Sequence, residues 1–238
     1  MNRPAANPVY CALDTTSLDQ ALAWARAVKP FVGGLKIGLE FFNANGPQGV
    51  RAIVEVGLPV FADLKLHDIP NTVGGGVRAI LPLGVSLVNV HTAGGAAMLR
   101  AAAEAAATAG ANRPKVIGVT VLTSLDASDL FATGVTAAPS DQVLRLAKLA
   151  KSSGLDGVVC AAHEIQSLRS ELGPNFLLVV PGIRPAGAAF SDQKRVTTPK
   201  EGRALGADIL VIGRPITGAP DPAAAARAIC DELSLAPA

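Results

Sequence analysis

The 238-residue sequence predicts a closed (β/α)8 barrel. Three observations carry that expectation. Eight short β-rich runs alternate with longer Ala- and Leu-rich helical stretches. The runs are continuously apolar, as in a parallel sheet buried on both faces, and do not alternate cleanly with polar residues. The length suits one barrel, and no linker or compositional break divides it, so the chain reads as a single domain over residues 1–238. An open doubly wound sheet is the structural alternative; no G-x-G-x-x-G follows the first run to support it.

Taken in order, Val9–Asp14 is the first strand, followed by Ser17 as an N-cap and a helix over Leu18–Val28. Residues 1–8 read as a flexible N-terminal segment. Phe31–Gly38 is the second strand, and a helix runs on to about Val56, where Gly57-Leu58-Pro59 stops it. Val60–Leu66 is the third strand and Thr72–Leu81 the next helix. Leu87–His91 is the fourth strand; Ala96–Ala109 is a strong helix closed by Gly110. Lys115–Leu122 is the fifth strand, then a long polar loop from Thr123 to Ser140 and a helix over Asp141–Ser152. Gly157–Ala161 and Phe176–Val180 are the sixth and seventh strands, separated by a helix over His163–Leu172. A second long loop, Pro181–Thr198, leads to a helix over Pro199–Leu205. Asp208–Ile212 is the eighth strand, and Asp221-Pro222 opens the last helix, Ala223–Glu232.

Composition narrows the function. Half the residues are apolar, 17% are charged, and the net charge is +2 with no polybasic run, which argues against nucleic-acid and membrane surfaces. The three cysteines, Cys11, Cys160 and Cys230, are far apart and form no C-x-x-C pair, so neither a zinc site nor a disulfide framework is expected. No apolar run approaches the ~20 residues of a membrane span, and Met1–Pro8 lacks the features of a signal peptide. A soluble cytoplasmic protein is the expectation.

Barrel enzymes of this class place their chemistry at the C-terminal ends of the strands. The polar residues of this chain collect there: Asp14 on strand one, Lys36 on two, Asp63, Lys65 and Asp68 on three, His91 on four, Thr123 on five, and Gly213-Arg214 on eight. Asp63 and Lys65 are two apart and so share a strand face. Lys36, Asp63, Lys65 and Asp68 sum to zero charge, which lets an ionised array persist in a poorly solvated pocket. The bland alternative is an ion-pair network that staples strands two and three, but such networks stabilise weakly. Pro181-Gly-Ile-Arg184 and Ile212-Gly-Arg-Pro215 lie after strands seven and eight, where phosphate sites recur. Their bland reading is two surface arginines beside turn glycines. His67 reads as a packing residue, His163 as structural, and His91 as either a hydrogen-bonding support for Lys65 and Asp63 or a core residue.

The run Phe61-Ala-Asp-Leu-Lys-Leu-His-Asp-Ile-Pro-Asn-Thr72 resembles the signature of orotidine 5′-phosphate decarboxylases of the short, monofunctional bacterial form. The similarity extends over Ala12-Leu-Asp14, Leu35-Lys-Ile37, Gly118-Val-Thr-Val-Leu-Thr-Ser124, Gly154-Leu-Asp-Gly-Val-Val-Cys160, Pro181-Gly-Ile-Arg-Pro185 and Val211-Ile-Gly-Arg-Pro215. The resemblance implies Lys65 as the lysine that protonates C6, Asp63 beside the substrate carboxylate, and Lys36 and Asp14 on the ribose. It implies a homodimer in which Asp68, Ile69 and Thr72 serve the partner's site. It places Thr123 at the pyrimidine and Arg184, Gln193, Gly213 and Arg214 on the phosphate, with no cofactor and no metal. Two alternatives stay open: a phosphosugar lyase or aldolase of the same superfamily that uses magnesium, and a non-catalytic phosphate-binding barrel.

Overall fold

The computed structural model describes residues 7–185 and 197–236. Its eight strands close into one parallel barrel in sequence order, β1 pairing with β8 through Tyr10 and Val211. The strands are β1 (Val9–Ala12), β2 (Gly34–Ile37), β3 (Val60–Leu66), β4 (Leu87–His91), β5 (Lys115–Val119), β6 (Gly157–Val159), β7 (Leu177–Val180) and β8 (Ile209–Ile212). Around them run α1 (Leu18–Val28), α2 (Leu39–Val54), α3 (Pro70–Ile80), α4 (Gly95–Ala107), α5 (Ala127–Ala132), α6 (Pro139–Ser152), α7 (Ile165–Leu172), α8 (Pro199–Leu205), α9 (Arg214–Thr217) and α10 (Pro222–Glu232). Among the described residues no helix is long and apolar enough to cross a membrane.

Most boundaries follow from local chemistry. The Ser17 hydroxyl accepts the Gln20 N–H at 3.2 Å and starts α1; Asp221 accepts the Ala224 N–H at 3.0 Å and starts α10. Proline at the first helical position moves the start of α3 back to Pro70, and that of α6 to Pro139, two residues before the expected positions. Strands one, five and six end two or three residues earlier than expected as the chain leaves the ladder at the rim, and strand two begins later because Lys29–Phe31 forms a 3-10 turn. The expected irregular stretch from Thr123 to Ser140 contains α5, capped by Asp126 in a reciprocal pair with Asp129. The four-residue α9 after β8 was also not expected from the pattern. Helix α2 bends at Gly46-Pro47, where Gly46 takes φ +60° and the proline has no N–H to give. Asn7 and Pro8 are tied in: the Asn7 amide donates to the Phe31 carbonyl at 2.8 Å, and the Leu210 N–H donates to the Pro8 carbonyl at 2.8 Å. Residues 1–6 lie outside the described residues.

Closure divides the apolar residues into two cores. The larger lies between strands and helices and holds Cys11, Leu35, Ile37, Val88, Val90, Val116 and Leu210, with Met98 and Leu99 of α4 and Ile229 of α10. The smaller fills the lumen with Tyr10, Ala12, Phe61, Leu87, Ile117, Val179, Ile209 and Val211. On β2 the lumen positions are Gly34 and Lys36. A Cβ on Gly34 would sit 2.4 Å from the Tyr10 ring, so only glycine leaves that ring its place. The lumen is thus plugged at its floor by bulky side chains, as in packed barrels of this type, and opens only at the C-terminal rim.

The opposite face is held by ion pairs. Asp156, just before β6, takes both arms of the Arg113 guanidinium at 2.7 and 2.8 Å and the Val116 N–H at 2.9 Å. Arg169 joins Asp208 and the Gly206 carbonyl in the same way before β8. Burial resists ionisation of Asp156, but the Arg113 hydrogen bonds, the Val116 N–H and the charges of Arg113 and Lys115 outweigh it and hold the carboxyl below the usual range. A depressed folded pKa stabilises above the unfolded value and loses its effect as pH falls through the folded one. Asp156→Ala is expected to cost about 2 kcal/mol at pH 7, below the 3–5 kcal/mol of fully buried pairs, because Arg113 is one-third exposed. The deficit should shrink below about pH 4, while kcat at ambient temperature stays within twofold. Urea titrations at pH 7 and pH 3.5 check this; an equal deficit at both would show that charge is not the cause.

Candidate active site

The inward parity of each strand carries the site. Where floor residues Tyr10, Gly34, Phe61 and Leu87 point into the lumen, the next inward positions upward are Ala12, Lys36, Asp63 and Asn89, and above them Asp14, Gly38 and His91, while Lys65 lies in an irregular stretch of β3. The apolar plug therefore passes into a polar rim within one or two residues on β1 to β4.

The rim charges form a continuous chain. Asp14 Oδ1 accepts from Lys36 Nζ at 2.8 Å. Lys36 Nζ lies 3.6 Å from Asp63 Oδ2, and Asp63 Oδ1 accepts from Lys65 Nζ at 2.6 Å. Signs alternate along the whole chain, which spares each member an unpaired buried charge. Lys36 is the most enclosed, with 9% of its side chain exposed; Asp14, at 51%, faces the opening. A Cβ on Gly38 would come within 3.1 Å of Lys36 Nζ and 3.3 Å of Asp14 Oδ1, so the bare glycine leaves space for their contact.

Asp63 is the hub. Burial pushes its carboxyl up, but the Lys36 and Lys65 charges and the hydrogen bonds from Lys65 and Asn89 together bring it below the ordinary carboxylate range. Asn89 is a residue that the sequence reading passed over. It is fully buried, and its Nδ2 donates to Asp63 Oδ1 at 2.7 Å. An amide between two valines in an apolar strand was the available signal. His91, the candidate support for Lys65 and Asp63, instead lies beside the exposed His67, their ring centroids 5.4 Å apart. Burial, His67 and the Lys65 charge lower its pKa, against a smaller opposing effect of Asp63, so His91 is neutral at pH 7.

Two adjoining hollows, of about 220 and 180 Å³, share Asp63, Pro181 and Val211. Together they fall within the range of small-molecule sites, roughly 300–1,000 Å³. One is polar, lined by Asp14, Lys36, Gly182, Arg184, Gly213 and Arg214. The other is apolar, lined by Phe61, Val119, Val121, Leu122, Thr123, Val159 and Val179, with Lys65 at its edge. Arg184 is buried and its N–H donates to the Thr197 carbonyl at 3.0 Å, which brackets residues 186–196. Gln193 lies outside the described residues. Asp68, Ile69 and Thr72 do not join this cleft: they are exposed at the start of α3, Ile69 at 67%. Such a cleft suits a ligand with an anion at one end and a flat, weakly polar ring at the other.

The model of the orotidine 5′-phosphate decarboxylase / HUMPS family matches residues 7–229. The chain belongs to this family. Among relatives of the orotidine 5′-phosphate decarboxylase family, the protein of that name from Rhodospirillum rubrum is 56% identical over 232 residues, covering 95% of this chain and 94% of the relative. The one from Paramagnetospirillum magneticum is 52% identical, covering 96% and 99%. The crystal structure of orotidine 5′-phosphate decarboxylase from Lactobacillus acidophilus superposes with a TM-score of 0.84 at 38% identity, covering 95% and 99%. The expected fold and family membership are thereby both met.

Proposed function

We propose that this chain converts orotidine 5′-phosphate to UMP and carbon dioxide, the last step of UMP synthesis, with Lys65 as the proton donor. The observation that carries this reading is the Asp14–Lys36–Asp63–Lys65 chain set against a cleft with one polar, arginine-lined end and one apolar end. The phosphate goes to Arg184, Gly213 and Arg214. The ribose goes to Asp14 and Lys36. The pyrimidine goes to the apolar hollow beside Thr123. C6 then faces Lys65 and Asp63.

Loss of carbon dioxide leaves an electron pair in the ring plane at C6, where no π system can accept it. The Lys65 ammonium supplies a cation beside that pair and then a proton to it. A charge pair near 4 Å contributes about 4 kcal/mol at an effective dielectric of 20, whereas enzymes lower barriers by about 8–23 kcal/mol. Lys65 alone is therefore not enough, and binding energy from the remote phosphate supplies part of the remainder. The reading requires no cofactor. Asp68, Ile69 and Thr72 would serve the site of a second copy in a homodimer; a mostly exposed isoleucine beside the rim supports that role. A cytoplasmic location follows from the proposed pathway step.

A magnesium-dependent phosphosugar lyase of the same barrel superfamily is the second reading. Against it, the two rim carboxylates Asp14 and Asp63 are already engaged by ammonium groups. The test is the loss of orotate absorbance from orotidine 5′-phosphate on adding the purified, chelator-treated protein. Full turnover is expected; absence of turnover until magnesium is restored would overturn the reading.

A further inference from the structure

We infer that Asn89 is a positioning residue for the reaction, holding both Lys65 and Asp63 from the neighbouring strand. This deepens the proposed function, because it rests on Lys65 as the proton donor. Three observations converge on it.

The β3–β4 ladder is interrupted at the site. Phe61 pairs with Leu87 and Ala62 with Val88, but the next pair is Leu66 with Val90. Four steps along β3 thus match two along β4, so residues 63–65 bulge away from the regular ladder opposite Asn89. Within that bulge Lys65 takes φ +51°, a left-handed conformation that non-glycine residues seldom adopt. The Asn89 side chain stands in for the missing ladder: its Oδ1 accepts the Lys65 backbone N–H at 2.7 Å. The same amide donates through Nδ2 to Asp63 Oδ1 at 2.7 Å, the oxygen that also receives Lys65 Nζ at 2.6 Å.

One buried amide therefore fixes the backbone of the lysine and the carboxylate to which its head group is bound. Asn89 is fully buried, leaving it no route to substrate except through these two residues. Ordinary strand alternation would have put Asp63 and Lys65 on one face without help. The bulge removes that guarantee, and Asn89 restores the pairing by other means. A misplacement of a reacting group by about 1 Å can cost ~100-fold in rate, which sets the scale of the expected effect.

Two substitutions test this. Asn89→Leu keeps the approximate volume and removes both hydrogen bonds. It is expected to lower kcat by about 100-fold while KM, set largely at the phosphate end, stays within threefold. Asn89→Asp keeps the acceptor and guards against a Leu variant that fails to fold. Its carboxylate opposes Asp63, but its protonated form would again accept from Lys65 and donate to Asp63. The charged and titratable groups facing this position are Lys36 on β2, Asp63 and Lys65 on β3, His91 on β4, and Asp14 through Lys36. The ratio of Asn89→Asp to wild-type kcat should rise as pH is lowered, at constant protein fold by circular dichroism. A kcat within threefold of wild type for folded Asn89→Leu, or a pH-independent ratio for Asn89→Asp, would overturn the inference. Lys65→Ala measured beside them separates the two claims: if it remains active, the role of Lys65 itself fails, whereas an inactive Lys65→Ala with full activity in Asn89→Leu removes only Asn89.

Discussion

Lys65→Ala should fold normally and lose decarboxylation by about 10⁴-fold or more. General acid catalysis is worth 10²–10⁴, and removal of one preorganised charge-stabilising group costs a further 10²–10³. Even the lower bound of the combined effect, ~10⁴, corresponds to about 5.4 kcal/mol of barrier. Binding should suffer far less, because the polar end of the cleft, where the proposed reading puts the ribose and phosphate, is lined by Asp14, Lys36, Arg184, Gly213 and Arg214 and not by Lys65. The substitution also leaves Asp63 with Lys36 at 3.6 Å and the Asn89 amide at 2.7 Å, so the carboxylate is not stranded. The measurements are single-turnover decarboxylation and UMP titration. Activity within tenfold of wild type would remove Lys65 from the mechanism; loss of UMP binding in parallel would point to a collapsed site instead.

Arg214→Ala is expected to reduce kcat/KM by about 30- to 1,000-fold, the range for deleting one member of an enclosed ionic contact at 2–4 kcal/mol and 1.4 kcal/mol per decade. Arg214 opens α9 immediately after the β8 rim and lines the polar hollow with Gly182, Arg184 and Gly213. If it acts by holding the phosphate, its loss should lower turnover as well as affinity, since that binding energy is used to organise the charged rim. The decisive comparison is a substrate that lacks the phosphate. There wild type and Arg214→Ala should run at nearly equal, slow rates. An undiminished kcat/KM on the full substrate, or an equal loss on both substrates, would contradict the assignment.

The barrel was legible because eight apolar runs and their helices have a period and a length that few other folds accommodate. The rim residues were legible because charge is scarce in this chain, so Asp14, Lys36, Asp63, Lys65 and Arg214 stand out at strand ends. Helix starts at Pro70 and Pro139 were misplaced by two residues, since the pattern was read from apolar positions and not from the proline that begins the turn. Asn89 escaped for a different reason. Its importance depends on the bulge of β3 opposite it, and a register shift between two strands leaves no mark within either one. His91 was read by its position at a strand end, which does not reveal that its ring is turned beside His67. The role of Gly38 likewise arises only when Lys36 and Asp14, on separate strands, meet above it.

The left-handed backbone of Lys65 has a consequence for how such a protein can change over generations. Glycine would occupy φ +51° without the roughly 1–2 kcal/mol that an L side chain incurs there. Selection for thermal robustness alone would set that strain against the partly exposed Lys65–Asp63 ion pair, and on the proposed mechanism loss of the lysine would leave an inert barrel. A library screened only for folding should enrich glycine at position 65, and one screened for turnover should not. If Lys65 is the proton donor proposed above, the demand for turnover is what keeps a lysine at this strained position.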